Sequence, residues 1–140
     1  MFLLDTNVVS ELRKAGDGKA NANVIAWLSN EDASTFYMSA VTVMELELGI
    51  LRLERRDAEQ GARLRTWMNT RVLPEFSERT LPVDSAVALR CAKLQPDPCS
   101  ERDAFIAATA LVHGMTVVTR NVADFVPTGV GIINPWEASV

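Results

Sequence analysis

The chain is poor in the residues that soft-metal and nucleophilic chemistries need. Its 140 residues include one histidine, His113, and two cysteines, Cys91 and Cys99. A lone histidine excludes most zinc ligand sets and leaves little room for a Ser–His–Asp triad. The N-terminus lacks the basic stretch, apolar run and small-residue cleavage site of a signal peptide. Two cysteines without an export signal predict reduced thiols and a cytoplasmic protein, not a disulfide framework. No apolar run is longer than a few residues, so no membrane span is expected. Positive charge is scarce as well: 14 Lys and Arg stand against 18 Asp and Glu, a net charge of −4. That balance argues mildly against nonspecific nucleic-acid binding, which needs clustered cations on phosphates. Linker-like tracts, internal repeats and low-complexity segments are absent, so residues 1–140 are expected to form one domain.

What is present is a regular alternation of short apolar strands with helical periods. An apolar fraction of 48% with 23% charged residues suits a packed core. Residues 2–4 read as a buried strand and residues 7–14 as a helix that Thr6 or Asn7 is able to cap. "NANVIAWLSNED" carries Val24, Trp27 and Leu28 at helical spacing, and "TFYMSA" (35–40) is β-branched and aromatic, hence a strand. "VTVMELELGILRLERR" predicts a long helix with two apolar stripes. Val41, Met44, Leu48 and Leu51 form one stripe, and Val43, Leu46, Ile50 and Leu53 the other, so the helix should be packed on two sides. One of those sides, in a domain this small, suggests a partner subunit. A helix from about Asp57 to Val72, a short strand ending at Asp84 and a helix over 85–94 follow. "QPDPC" then breaks the helix with two prolines. "SERDAFIAATALVHGM" is Ala-rich and helical, with Ser100 as its cap and Gly114 as its stop. "TVVT" (116–119) and "GIIN" are the last strands, separated by the turn or helix "RNVADF". The expected fold is α/β, a parallel sheet covered by helices on both faces.

In such open sheets ligands bind beyond the carboxyl ends of the strands. Four acids fall there. Asp5 ends the first strand, Glu45 lies one turn into the long helix, Asp103 lies in the first turn of its helix, and Asp124 follows strand 116–119. Each has an ordinary explanation taken singly. Asp5 suits a turn or a cap, Asp103 complements a helix dipole, Glu45 is a helical border residue, and Asp124 begins a turn. Taken jointly, four carboxylates near one crevice repel one another unless a cation neutralises them, and oxygen-only ligands select Mg²⁺ or Mn²⁺. Composition and periodicity lead this far and no further: an α/β domain with a candidate acidic metal site.

"FLLDTNVVSEL", "MSAVTVMELELGI", "RDAFIAATALVHGMTVVTRNVADF" and "INPWE" together resemble the PIN-domain ribonucleases, specifically the VapC- or FitB-like toxins of bacterial toxin–antitoxin pairs. The likeness runs from Phe2 to Glu137 and is weakest between about Asp57 and Asp97. It implies that Asp5, Glu45, Asp103 and Asp124 are the catalytic and metal-binding quartet, with Thr6, Asn7, Ser39, Thr119 and Asn121 as polar support. It further implies Mg²⁺- or Mn²⁺-dependent hydrolysis of RNA, a homodimer and a cognate antitoxin.

Two other α/β enzymes or switches fail on single residues. A haloacid-dehalogenase-type phosphatase wants a second Asp two residues after the first, where this chain has Asn7. A receiver domain needs adjacent early acids and a Lys after a late strand, where Arg120 and Asn121 stand. A PIN fold that binds partners without cleaving remains a rival in kind, opposed by the presence of all four acids. Arg52, Arg55, Arg56, Arg63, Arg65 and Arg71 cluster in one segment. They read as a solvated helical face or as the flank of a backbone groove, and Arg13 and Lys14 are comparable.

Overall fold

Leu3 and Leu4 are neighbours in the chain and lie in different cores, because successive side chains of a strand point to opposite faces. Leu4 shares a core with Val8, Val24, Leu28, Leu46 and Ile50, whereas Leu3 belongs with Val41, Ile106, Ala107 and Ala110. Val117 and Val118 divide in the same way. Both faces of the sheet are therefore covered, as its near-continuous apolar strands require.

A computed structural model describes residues 1–94 and 100–137. Phe2–Leu4 is strand β1, Thr6–Gly16 helix α1 and Ala22–Ser29 helix α2. Phe36–Ser39 is β2 and Ala40–Arg56 is α3. Ala58–Trp67 is α4, which passes through a π-helical turn at Met68–Val72 into the single turn α5, Leu73–Glu75. Thr80–Leu81 is β3, Ser85–Leu94 is α6 and Glu101–His113 is α7. Thr116–Val118 is β4, Val122–Phe125 is α8 and Ile132–Ile133 is β5. The five strands are all parallel, in the order β3-β2-β1-β4-β5. The order reverses between β1 and β4, so the crevice of the sheet opens beyond the ends of those two strands. The "QPDPC" break lies outside the described residues. Among those described, no helix is long and apolar enough to cross a membrane.

Three local expectations need correction. Asp5 itself, not Thr6 or Asn7, caps α1, its Oδ1 accepting from the Thr6 amide at 2.8 Å. Ser100 occupies the cap position of α7 without a side-chain cap bond, while Gly114 ends that helix in the left-handed conformation at φ 67°. In α3 the stripe with Leu46 and Ile50 is interior, while Met44 and Leu51 of the other stripe are 47% and 45% exposed. Val41, at the start of that other stripe, is buried in the opposite core, so α3 is packed on two sides only at its first turn.

The helix expected over 57–72 also changes register. Pro74 has no N–H to give Thr70 and its ring crowds that carbonyl, so the preceding turn widens into a π-turn. α3 and α4 form a tight hairpin, in which a Cβ on Gly61 would sit 2.7 Å from the Glu54 Cα. Glycine is required there by the close backbone approach.

Candidate functional site

β1 delivers Asp5 to the switch point, where its amide donates to the Val118 carbonyl at 2.9 Å and the residue is 4% exposed. Thr119, the first residue past β4, donates its hydroxyl to Asp5 Oδ2 at 2.7 Å. Asn7 Nδ2 donates to the same oxygen at 3.3 Å. Each carboxylate oxygen of Asp5 thus has a donor, which keeps a buried charge in one orientation. The Asn121 amide donates to Thr119 Oγ1 at 3.0 Å, and the Arg120 amide to Asn7 Oδ1 at 3.3 Å, so the loop after β4 is stitched to the start of α1.

Glu45 approaches from α3. Its Oε1 accepts from the Thr6 hydroxyl at 2.9 Å, and Thr6 Oγ1 also lies 3.3 Å from the hydroxyl of the fully buried Thr42. Asp103 enters on the first turn of α7 and Asp124 on α8. α3 leaves the end of β2, and α7 runs back along the sheet towards β4, so both helices start at the carboxyl edge where Asp5 ends. Ser39 lies at that edge too, but its buried Oγ accepts from the Val41 amide at 3.0 Å and caps α3.

The electrostatics report the convergence. The Asp103 carboxyl is pushed up to about 6, by burial first and then by the charges of Asp5, Asp124 and Glu45. All three other acids are thus close enough to disfavour its ionisation. Asp5 is raised as well, chiefly by burial and also by Glu45, against the opposing bonds from Thr119, Thr6 and Asn7. Among the described residues, no three acidic, His or Cys side chains stand close enough together to hold a metal ion as they are.

Sequence patterning missed two residues in contact with this cluster. Thr42 carries no signal beyond being a polar residue on an apolar helix face. Arg102, beside Asp103, places its Nη1 3.7 Å from Glu45 Oε2, the one ion pair that any of the four acids makes among the described residues.

Four arginines of the arginine-rich segment take two different places. Arg65 is held by Glu47 and Glu54, whereas Arg56, Arg63 and Arg71 join Arg13 and Lys19 around a groove of about 1090 Å³. Its other walls include Leu12, Leu53, Leu64, Trp67 and Phe76 together with Asp17, Gln60 and Glu75, so the groove mixes apolar and charged side chains with more cations than anions.

With that geometry in hand, comparison with known proteins places the chain. The family described as "PIN domain" matches residues 2–125. The chain is 39% identical to the VapC ribonuclease Y4jK of Sinorhizobium fredii, covering 98% of this chain and 99% of that protein. It is 37% identical to Toxin FitB of Neisseria gonorrhoeae, over 98% of this chain and 99% of that one. A solved structure of FitAB bound to an IR36 DNA fragment superimposes with a TM-score of 0.89 at 36% identity, covering 100% of this chain and 99% of that chain.

Proposed function

The chain belongs to the PIN-domain family, and we propose that residues 1–140 act as one domain, a cytoplasmic toxin ribonuclease that hydrolyses RNA phosphodiester bonds and is silenced by a cognate antitoxin. The observation that carries the reading is geometric: Asp5, held by Thr119 and Asn7 at the β1–β4 switch point, and Glu45, held by Thr6, meet at the sheet edge where α7 brings in Asp103, whose carboxyl is pushed up in keeping with that crowding. Similarity to a VapC ribonuclease and to Toxin FitB over nearly the whole chain supports the activity and the toxin role.

The residues fit a hard divalent cation, Mg²⁺ or Mn²⁺. Only oxygen donors converge, and their mutual repulsion is relieved by a positive charge among them. Mg²⁺ ordinarily keeps several waters and takes one or two carboxylates. Asp5 and Asp103 would be those direct ligands, with Glu45 and Asp124 completing the pocket directly or through water. When bound, the cation polarises the scissile phosphate and makes an attacking water more acidic. The chain supplies the rest. Thr119 and Asn7 hold Asp5, Thr6 holds Glu45, and the Asn121 amide fixes Thr119. Ser39 contributes by starting α3 where Glu45 can reach the edge.

Two partners follow from surfaces away from the acids. The groove between α1 and the α3–α4 hairpin is lined in part by Leu12, Leu53, Leu64, Trp67 and Phe76, apolar contacts that suit a protein segment better than a ribose-phosphate chain; we assign it to the antitoxin. The exposed Met44 and Leu51 of α3 are assigned to a homodimer contact.

The test is cleavage of single-stranded RNA by wild type and Asp103→Asn, with Mg²⁺ and with chelator. Wild type should cleave only with the cation. Undiminished cleavage in chelator would remove the mechanism. A folded protein that binds its antitoxin and cleaves no RNA under any condition would favour a PIN fold that only binds partners.

A further inference from the structure

A site made of four carboxylates repels the polyanion it is meant to cut, so something near it must receive phosphate. Several of the described cations are committed elsewhere, and Arg13, Lys19, Arg56, Arg63 and Arg71 line the groove instead. Arg65 bridges Glu47 and Glu54, Arg79 pairs with Glu75, and Lys14 pairs with Glu11. Arg120 follows β4, but its guanidinium lies 5.4 Å from the Trp136 ring centroid and only its amide reaches towards Asn7. Arg102 is different. It stands next to Asp103, its side chain is 46% exposed, and it touches Glu45 at 3.7 Å.

That contact does little for stability. Half-exposed ion pairs at such separations contribute at most about 1 kcal/mol. Arg102 also occupies the first turn of α7, where the helix dipole disfavours a cation. A residue that breaks a local rule at the edge of a site is expected to serve that site. Glu45 is steadied independently, because Thr6 holds its other oxygen at 2.9 Å. The guanidinium can therefore leave without releasing Glu45.

Resting on the ribonuclease reading above, we infer that Arg102 is a phosphate-binding residue of this site, parked on Glu45 and transferred to a non-bridging oxygen of the RNA backbone when substrate arrives. Its planar fork matches a phosphate bidentately, which a lysine ammonium does not. No covalent step is involved: one ion pair is exchanged for another.

The experiment uses Asp103→Asn as a non-cleaving background and a short fluorescein-labelled single-stranded RNA, with binding followed by anisotropy across a salt series. Adding Arg102→Gln should raise Kd about tenfold and reduce the slope of log K against log salt by about 0.7, the share of one phosphate contact on a single strand. Arg102→Lys should restore most of the slope and only part of the affinity. In otherwise wild-type protein, Arg102→Gln should raise KM with kcat little changed, the mark of lost ground-state binding. Arg63→Gln removes the same charge beside Glu59, away from the acids, and should leave the slope unchanged. Equal effects from Arg63→Gln and Arg102→Gln would overturn the inference, as would an unchanged Kd and slope in Arg102→Gln while wild type still cleaves. If wild type neither binds nor cleaves RNA, the ribonuclease reading falls first and the assignment of Arg102 falls with it.

Discussion

Arg65 and Asp103 are both charged groups facing carboxylates, in opposite circumstances. Arg65 stands between Glu47 and Glu54 and joins α3 to α4, a cation enclosed by anions that favour its charge. Asp103 faces Asp5, Asp124 and Glu45, an anion among anions that disfavour it. The first arrangement neutralises itself and holds two helices in register. The second leaves a deficit of positive charge at a sheet edge, where the fold has no structural need for it. The Arg65 arrangement is self-sufficient, whereas the acid cluster, with only Arg102 on Glu45, keeps an excess of negative charge.

Cleavage should show the widest gap between these regions. Asp103→Asn is expected to lower the rate at least 100-fold, a loss of about 2.7 kcal/mol of transition-state stabilisation. Arg65→Met should stay within about twofold of wild type in the same assay, because its partners lie outside the acid cluster. A comparable loss in both variants would erase the distinction.

Stability should respond the other way round. Gly61→Ala forces a Cβ against the Glu54 backbone and should cost about 2 kcal/mol in denaturant unfolding, without changing the activity of the folded fraction. Full stability in that variant would show that the hairpin relaxes freely. Arg65→Met should cost less than Gly61→Ala, as expected for partly exposed ion pairs.

A smaller test concerns the outer face of α3. Met44→Asp should convert a homodimer to monomers in light scattering while leaving the fold intact, since Met44 is exposed in the single chain. A wild type already monomeric at assay concentrations would refute that contact.

Much of this was legible in the residues, for definable reasons. β1, β2 and β4 are short apolar runs bounded by polar residues, and α7 is a long alanine-rich period with a glycine stop, so local pattern and tertiary role agree. Asp5 was ambiguous between a cap and a proposed site residue; in the structure its Oδ1 caps α1 while its Oδ2 is held by Thr119. What was not legible depends on contacts distant in sequence. The π-turn at Met68–Val72 lies in ordinary helical sequence, and only Pro74 hints at it. The interior stripe of α3 is chosen by α4 and the sheet, which the helix's own sequence does not encode. Arg102 reads as a solvated neighbour of Asp103 until Glu45, 57 positions earlier in the chain, is brought beside it.

The claim that matters most is that the four acids share one site, and thermal melting of wild type and Asp103→Asn across pH tests it directly. A carboxyl raised from 3.8 to about 6 makes the folded state bind more protons than the unfolded state between those values. Below pH 3.8 the wild-type carboxyl is protonated in both states and behaves much like the amide. As pH climbs towards 6 the wild type loses stability relative to the variant, and above 6 the penalty is constant, about 1 kcal/mol once solvent screening is allowed for. In chelator the variant should therefore melt with wild type near pH 3.5 and above it at pH 7. Mg²⁺ at pH 7 should raise the wild-type melting temperature more than the variant's, because the cation binds only the folded acids. A variant that melts below wild type at pH 7 in chelator, with Mg²⁺ shifting both equally, would contradict the shared site.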